Sequence, residues 1–210
     1  GNGTQQIFYG RDDVQYVSLH GDPRRAYPYI TGFADELGEG KGRGSTTNIP
    51  LTAKTDDDMF LDALDKSCAA IEAFGPSMLI VSLGLDTYVT DPICDLAVTR
   101  DGFTRSGARV RGLNLPTVVL QEGGYDLANL GLNVQAWLQT LLSTAPGENL
   151  NHPANRIAAV NHRTRTAQHF HPFDLLDVQM LQVAVAGSGA ADTLAVDQHQ
   201  TLRRLRAANV

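Results

Sequence analysis

A nearly uninterrupted apolar run, MLIVSL at 78–83, is the clearest hydrophobic pattern in the chain. It is rich in branched residues and lies between Gly75-Pro76 and Gly84, which predicts a strand buried on both faces of a parallel sheet. Asp86 follows this strand. Because ligand sites in open α/β sheets lie outside the carboxyl ends of strands, Asp86 is a candidate metal ligand or catalytic acid. The alternative is that Asp86 only caps the turn that follows the strand.

The rest of the pattern alternates between strand and helix signals. Strands are predicted at 14–20, 46–51 and 116–121, whereas residues 1–5 are predicted to form a tight turn. Thr55 is the predicted cap of a helix that ends near Phe74, with an acidic first turn and apolar side chains at helical spacing. Two more helices are predicted at 102–113 and 127–142. Alternation of this kind indicates a parallel α/β layer sandwich.

A glycine-dense segment, GEGKGRG at 38–44, raises the alternative of a phosphate-binding loop. In such a loop a Ser or Thr follows the lysine, and a helix begins there. Here Gly42 follows Lys41, and no helix pattern comes next. We therefore do not expect nucleotide binding at this segment.

Composition narrows the class of protein without identifying a function. A chain of 210 residues can form one sizeable domain, and 42% hydrophobic with 19% charged residues is ordinary for a globular protein. The net charge of −6 is spread along the chain, so neither nucleic acid nor a membrane surface is an expected partner. The two cysteines, Cys68 and Cys94, cannot form a disulfide framework, which favours a cytoplasmic location.

Seven short motifs follow one another along residues 1–142. They are GNGTQ at 1–5, VSLHGDP at 17–23, YPY at 27–29, GFADELGEG at 32–40, SLGLDT at 82–87, DP at 91–92 and QEGGY at 121–125. Together they resemble the zinc-dependent histone deacetylase superfamily. The HGDP and YPY segments are similar to its acetylpolyamine amidohydrolase-like branch. The resemblance implies a parallel-sheet three-layer α/β/α sandwich of the arginase/deacetylase type, incomplete at the amino terminus.

The resemblance also implies a reaction and a set of site residues. Members hydrolyse acetylated amines, such as acetylpolyamines or acetyl-lysine, with one Zn²⁺ held by two aspartates and a histidine. Asp86 matches one zinc aspartate, and Tyr125 matches the tyrosine that donates to the developing oxyanion. Gly123 and Gly124 flank Tyr125 and are expected to let the backbone approach the substrate.

Three further residues match positions outside the zinc centre. Tyr29 resembles the aromatic wall of the tunnel that holds the acylated amine. Ser18 and Leu19 fall where the family binds a structural K⁺ through a hydroxyl and backbone carbonyls. Relatives in the acetylpolyamine amidohydrolase branch suggest a homodimer.

The main departure from the family lies at the amino terminus. Relatives carry, directly before GNGTQ, an Asp-x-Asp-x-His-His stretch with the other zinc aspartate and the zinc histidine, and the paired histidines that act as general base lie a little further upstream. This sequence begins after these residues. We therefore expect residues 1–142 to be the carboxyl-terminal portion of a deacetylase-like domain, present as a fragment. The alternative is a catalytically inactive remnant or a binding module.

Residues 143–210 are expected to be an extension that is poorly ordered or partly helical. Residues 175–185 allow a strand or a helix, and 201–208 allow a short basic helix. Five of the six histidines lie in this extension, and His169 and His171 have a spacing that permits metal binding. The alternative for these two histidines is an exposed position without a ligand.

Overall fold

The computed structural model of the chain describes residues 1–143 and the two strands 157–161 and 182–186. Within these residues the helices are α1 (Asn2–Phe8), α2 (Asp57–Phe74), α3 (Arg100–Gly112) and α4 (Leu130–Leu142), with a 3₁₀ turn at Gly40–Gly42. The strands are β1 (Val14–Gly21), β2 (Thr46–Leu51), β3 (Met78–Leu83), β4 (Thr117–Gln121), β5 (Ile157–Asn161) and β6 (Gln182–Ala186). The predicted alternation of strands and helices is thus confirmed.

The strands form one sheet in the order β2-β1-β6-β3-β4-β5. The pairs β1–β2, β3–β4 and β4–β5 are parallel, whereas β6 runs antiparallel to both β1 and β3. Gln182 pairs with Ser18 on one side and with Ser82 on the other, which aligns β1 and β3 at the same height. The sheet is therefore parallel apart from one strand at its centre.

The hydrophobic core lies between the sheet and helices α2, α3 and α4. It joins side chains on alternate positions of β1 and β3 to apolar side chains of these helices. Members that are almost fully buried include Leu19, Leu64, Leu79, Phe103 and Trp137. Burial of each large apolar side chain stabilises the fold by roughly 1.5–3 kcal/mol, so this layer fixes the position of the strand ends.

The amino ends of α2 and α3 are tied together by Asp57 and Thr99. The backbone N–H and the hydroxyl of Thr99 each donate to the Asp57 carboxylate at 2.6 Å. Thr99 in turn caps α3, and its hydroxyl accepts from the Gly102 N–H at 3.5 Å. These contacts anchor the carboxyl end of the loop that follows β3.

Three sequence predictions about local structure were wrong. Residues 1–5 are not a tight turn, because Asn2–Phe8 is helical. The cap of α2 is Asp56, whose side chain accepts from the Met59 N–H at 3.0 Å, whereas the Thr55 hydroxyl donates to the Thr52 carbonyl. Strand β3 is not buried on both faces.

Burial in β3 alternates along the strand. Leu79, Val81 and Leu83 are buried in the core, and the residues between them are half-buried. The reason is that the core side chains of α2, α3 and α4 pack against one face of this strand. Helix α1 instead contacts β1, where the Tyr16 hydroxyl donates to the Gly1 carbonyl at 3.2 Å.

Part of the predicted extension contributes to the sheet. Strands β5 and β6 both come from residues after 143, and β6 overlaps the stretch 175–185 for which a strand and a helix were both considered. The proposed basic helix at 201–208 lies outside the described residues, as do His152, His162, His169, His171 and His199.

Candidate active site

Asp86 lies immediately beyond the carboxyl end of β3 and is fully buried. Neither of its carboxylate oxygens has a hydrogen-bond partner in the described part of the chain. The pKa of Asp86 is raised to about 8, mainly by burial, with a smaller contribution from the nearby Asp91 charge. Burial of an ionised carboxylate without partners is energetically unfavourable. This environment therefore favours either a bound cation or a protonated carboxyl group.

Two glycines after β4 bring a second loop against this carboxylate. A Cβ atom on Gly123 would lie 2.8 Å from Asp86 Oδ1. Gly124 has a φ of +132°, and a Cβ atom there would lie 2.7 Å from Leu130 Cδ1 and 3.1 Å from Leu85 Cβ. Gly123 is therefore needed for close approach to Asp86, and Gly124 for its backbone conformation.

The loop that carries Tyr125 is held by Asp91. One carboxylate oxygen of Asp91 accepts from the backbone N–H groups of Tyr125 at 2.8 Å and Asp126 at 3.3 Å. The backbone of Leu85 also donates to the Gly123 carbonyl at 3.0 Å. The loops that follow β3 and β4 thus form one hydrogen-bonded unit around Asp86.

A second polar cluster lies on β1, on the face opposite the core. The His20 Nε2 donates to the Gly32 carbonyl at 2.7 Å, and Nδ1 accepts from the Ser18 hydroxyl at 2.8 Å. Burial lowers the pKa of His20, which favours this neutral tautomer. These groups line a small cavity together with Gln5 and Thr31.

The structure places the matched residues in two separate regions. Asp86, Gly123, Gly124 and the Tyr125 backbone are together at the ends of β3 and β4, whereas Ser18 and Leu19 lie in β1, beyond β6. Tyr29 is on the loop after β1, has a φ of +66° and is 59% exposed. Its ring packs edge to face on Tyr27, with centroids 6.3 Å apart.

This arrangement can be compared with known proteins. A sequence model of the histone deacetylase domain matches residues 1–141. The chain belongs to the histone deacetylase family. The predicted resemblance is thereby confirmed, and with it the α/β fold class.

Relatives within the histone deacetylase family also confirm the predicted branch. Acetylpolyamine amidohydrolase 1 of Pseudomonas aeruginosa is 47% identical over 139 residues, which are 66% of this chain and 40% of that protein. Acetylpolyamine amidohydrolase of Burkholderia pseudomallei is 44% identical over 137 residues, which are 65% of this chain and 40% of that protein. The chain thus spans about 40% of the length of these relatives.

A solved structure of the family has the same fold. The crystal structure of acetylpolyamine aminohydrolase from Burkholderia pseudomallei aligns with a TM-score of 0.65 and 42% identity. The alignment covers 66% of this chain and 41% of that one. The two proteins therefore share their fold over about two thirds of this chain.

The described residues of this histone deacetylase family member contain one candidate metal ligand. No three His, Cys, Asp or Glu side chains come together within them. Among the carboxylates of the described residues, Asp86 is the one that is fully buried with both oxygens unpartnered, which suits a metal ligand. The described residues thus provide one suitable ligand for a metal ion, Asp86. Further ligands would be needed to complete the coordination of the metal.

Sequence reasoning missed the role of Asp91. Its DP motif belongs to the family resemblance, yet nothing in the sequence showed that its carboxylate reaches the loop after β4. An acidic residue before proline, in the same loop as a predicted ligand, was the signal available.

Among the helices that the structure describes, none has the length and apolar character of a membrane span.

Proposed function

We propose that this chain is the carboxyl-terminal portion of a zinc-dependent amidohydrolase that removes acetyl groups from acetylated amines. The observation that carries this proposal is the fully buried Asp86 carboxylate, which lies against Gly123 and has no hydrogen-bond partner among the described residues. A structural aspartate would be hydrogen-bonded, because a buried polar group without partners is destabilising. We therefore infer that Asp86 binds a ligand.

In the proposed reaction, water adds to the acetyl carbonyl and the amide C–N bond breaks to give acetate and a free amine. Asp86 would hold the zinc ion, which when bound polarises the carbonyl and lowers the pKa of the attacking water. The Tyr125 hydroxyl would donate a hydrogen bond to the oxygen that develops negative charge. Gly123 and Gly124 would keep the backbone beside Tyr125 close to the substrate.

The substrate and the remaining partners follow the family resemblance. The names of the similar amidohydrolases support an acetylated polyamine, and the wider family supports acetyl-lysine. Tyr29 would form part of the wall for the acylated amine. Ser18 and Leu19 would bind K⁺. The free thiols Cys68 and Cys94 support a cytoplasmic location, and the branch supports a homodimer.

A second candidate function is a non-catalytic remnant or binding module. The observation that favours it is the lack of a three-ligand cluster within the described residues. Such a protein would keep the surface for the acylated amine without turnover. The two functions therefore differ in metal content and in hydrolysis.

Zinc content and hydrolysis separate the candidates. The purified 210-residue chain is dialysed against metal-free buffer, reloaded with Zn²⁺ and analysed for zinc, and hydrolysis of acetylputrescine is followed. The same assays are run on a fusion in which the portion of the Pseudomonas aeruginosa relative that precedes its matching segment is joined to Gly1. We expect the fusion to retain about one zinc and to release acetate.

Two variants make this experiment decisive. Asp86→Asn should remove zinc from the fusion, because it removes the negative charge that the metal requires. Asp12→Asn, which changes an exposed aspartate, is the matched control and should keep zinc. Zinc retention that is unaffected by Asp86→Asn would contradict the metal role. Zinc retention without hydrolysis would instead support the binding module.

A further inference from the structure

Two loops meet at the carboxyl edge of β3 and β4. Residues 84–99 follow β3 and carry Asp86, and residues 122–129 follow β4 and carry Tyr125. In the proposed reaction these two residues must act on the same carbonyl group. Their relative position therefore depends on contacts that cross from one loop to the other.

Asp91 makes the most extensive of these contacts. Its side chain is buried, with 8% exposure. One carboxylate oxygen accepts from the N–H groups of Ile93 at 2.9 Å and Cys94 at 3.4 Å, within its own loop. The other accepts from the N–H groups of Tyr125 at 2.8 Å and Asp126 at 3.3 Å, across the gap. Hydrogen bonds of backbone N–H groups to an ionised carboxylate are stronger than those between neutral groups.

We propose that Asp91 is a positioning residue, whose carboxylate fixes the backbone of Tyr125 against the loop of Asp86. This inference rests on the proposed function. The segment before Tyr125 is Gly123-Gly124, which has no side chains to restrict its backbone, so the direction of the tyrosine requires an anchor in addition to the hydrogen bond from Leu85 to Gly123. Asp91 supplies this anchor at the backbone N–H of Tyr125 itself.

A neighbouring contact provides a matched control. The Thr90 hydroxyl donates to the Asp126 carboxylate and so joins the same two loops at the side chain of the residue after Tyr125. Thr90→Val therefore removes one bridge between the loops and keeps the anchor of Tyr125. If any contact between the two loops were enough to position Tyr125, Thr90→Val and Asp91→Ala should have the same effect on Tyr125.

The first test is amide hydrogen exchange, measured by NMR on the full 210-residue chain. In Asp91→Ala the amides of Tyr125 and Asp126 should exchange faster, whereas those of the core strand β3 should not change. In Thr90→Val the Tyr125 amide should stay protected. Unchanged exchange at Tyr125 in Asp91→Ala would overturn the proposal, and this result does not depend on any activity.

The second test is turnover of acetylputrescine by the fusion protein. Asp91→Ala should lower kcat by roughly 10²-fold, the cost of a misplacement on the order of 1 Å, with zinc content and KM nearly unchanged. In a Tyr125→Phe background, Asp91→Ala should cause little further loss, because Asp91 acts through that tyrosine. An equal loss in both backgrounds would overturn the positioning role.

Asp91→Asn is a milder substitution and keeps the proposal testable if Asp91→Ala does not fold. Its amide oxygen keeps one acceptor while the charge is lost, so exchange at Tyr125 and kcat should both lie between those of wild type and Asp91→Ala. A wild-type value for both would contradict the proposal. Absence of hydrolysis in the wild-type fusion would instead count against the proposed function, and amide exchange alone would then decide the anchor.

Discussion

A Cβ atom on Gly123 would lie 2.8 Å from Oδ1 and 3.2 Å from Oδ2 of Asp86, so the backbone at position 123 occupies the space beside the buried carboxylate. The φ of Gly123 is not in the left-handed region, and space alone explains the glycine. The loop after β4 therefore closes one side of the candidate metal site.

Gly123→Ala should weaken zinc binding by the fusion roughly 10–100-fold, the usual cost of disturbing the groups that orient a metal ligand. The added methyl group cannot coexist with the present position of Asp86, so either the carboxylate or the loop must shift. Zinc affinity is measured by competition with a chromophoric chelator. Gly3→Ala is the control, because a Cβ atom there meets nothing within 4 Å. Equal affinities for Gly123→Ala and wild type would disprove this prediction.

Tyr125→Phe should lower kcat of the fusion by roughly 10²–10³-fold, the usual loss when one oxyanion donor is removed. Zinc content should stay the same, because the hydroxyl is not proposed as a ligand. Steady-state kinetics with acetylputrescine provide the measurement. Tyr9→Phe, at the end of α1 and far along the chain from the site, is the control and should retain wild-type kcat. Full activity of Tyr125→Phe would remove the role assigned to Tyr125.

Asp86 should make the metal-free chain less stable as the pH rises. Its pKa is raised to about 8 in the folded state by burial, so between the ordinary carboxyl pKa and pH 8 the folded state holds a proton that the unfolded state has lost. Over this window the contribution of Asp86 to the free energy of unfolding falls with rising pH, by at most about 1.4 kcal/mol per pH unit.

Asp86→Asn removes this titration and should therefore remove this contribution to the pH dependence of stability. The measurement is urea unfolding of the metal-free chain at several pH values between 5 and 8, for wild type and Asp86→Asn. The variant should gain stability relative to wild type as the pH increases. A constant difference across this range would show that the carboxyl group is not buried without a partner.

Gly107→Ala should destabilise the chain by roughly 1–3 kcal/mol, because a Cβ atom there would lie 2.5 Å from the carbonyl oxygen of Trp137, where α3 and α4 pack together. Gly131→Ala, inside α4 with nothing within 4 Å, should instead be neutral or stabilise by roughly 0.5–1 kcal/mol. Urea unfolding of both variants provides the comparison. A similar effect of the two substitutions would contradict the close approach of the helices.

Sequence alone located Asp86 because a strand of apolar residues can be recognised locally, and the residue beyond its end has a defined place in an α/β fold. Helix α1 could not be recognised in this way. Its sequence, NGTQQIF, has weak helix propensity, and tertiary contacts hold it instead. Gln5 is buried and donates to Glu36 at 2.5 Å, while Asn48 donates to Gln5 at 3.0 Å.

The same distinction explains the α2 cap and Asp91. Two capping residues stand side by side at 55 and 56, and the choice between them depends on whether the Thr55 hydroxyl has another acceptor, which Thr52 provides. Asp91 contacts Tyr125, 34 positions further along the chain, through the tyrosine backbone. Because every residue except proline carries a backbone N–H, no residue pattern marks such a partner.

The antiparallel strand β6 has a consequence for the order of folding. In the described sheet, β1 and β3 are joined by backbone hydrogen bonds only through residues 182–186. During synthesis, residues 182–186 must therefore have left the ribosome before the two halves of the sheet can be hydrogen-bonded to each other. Contacts over such sequence separations form slowly, and the unpaired edges of β1 and β3 are exposed to other chains until then. Cellular yield of this protein should accordingly depend on chaperones that shield nascent strands.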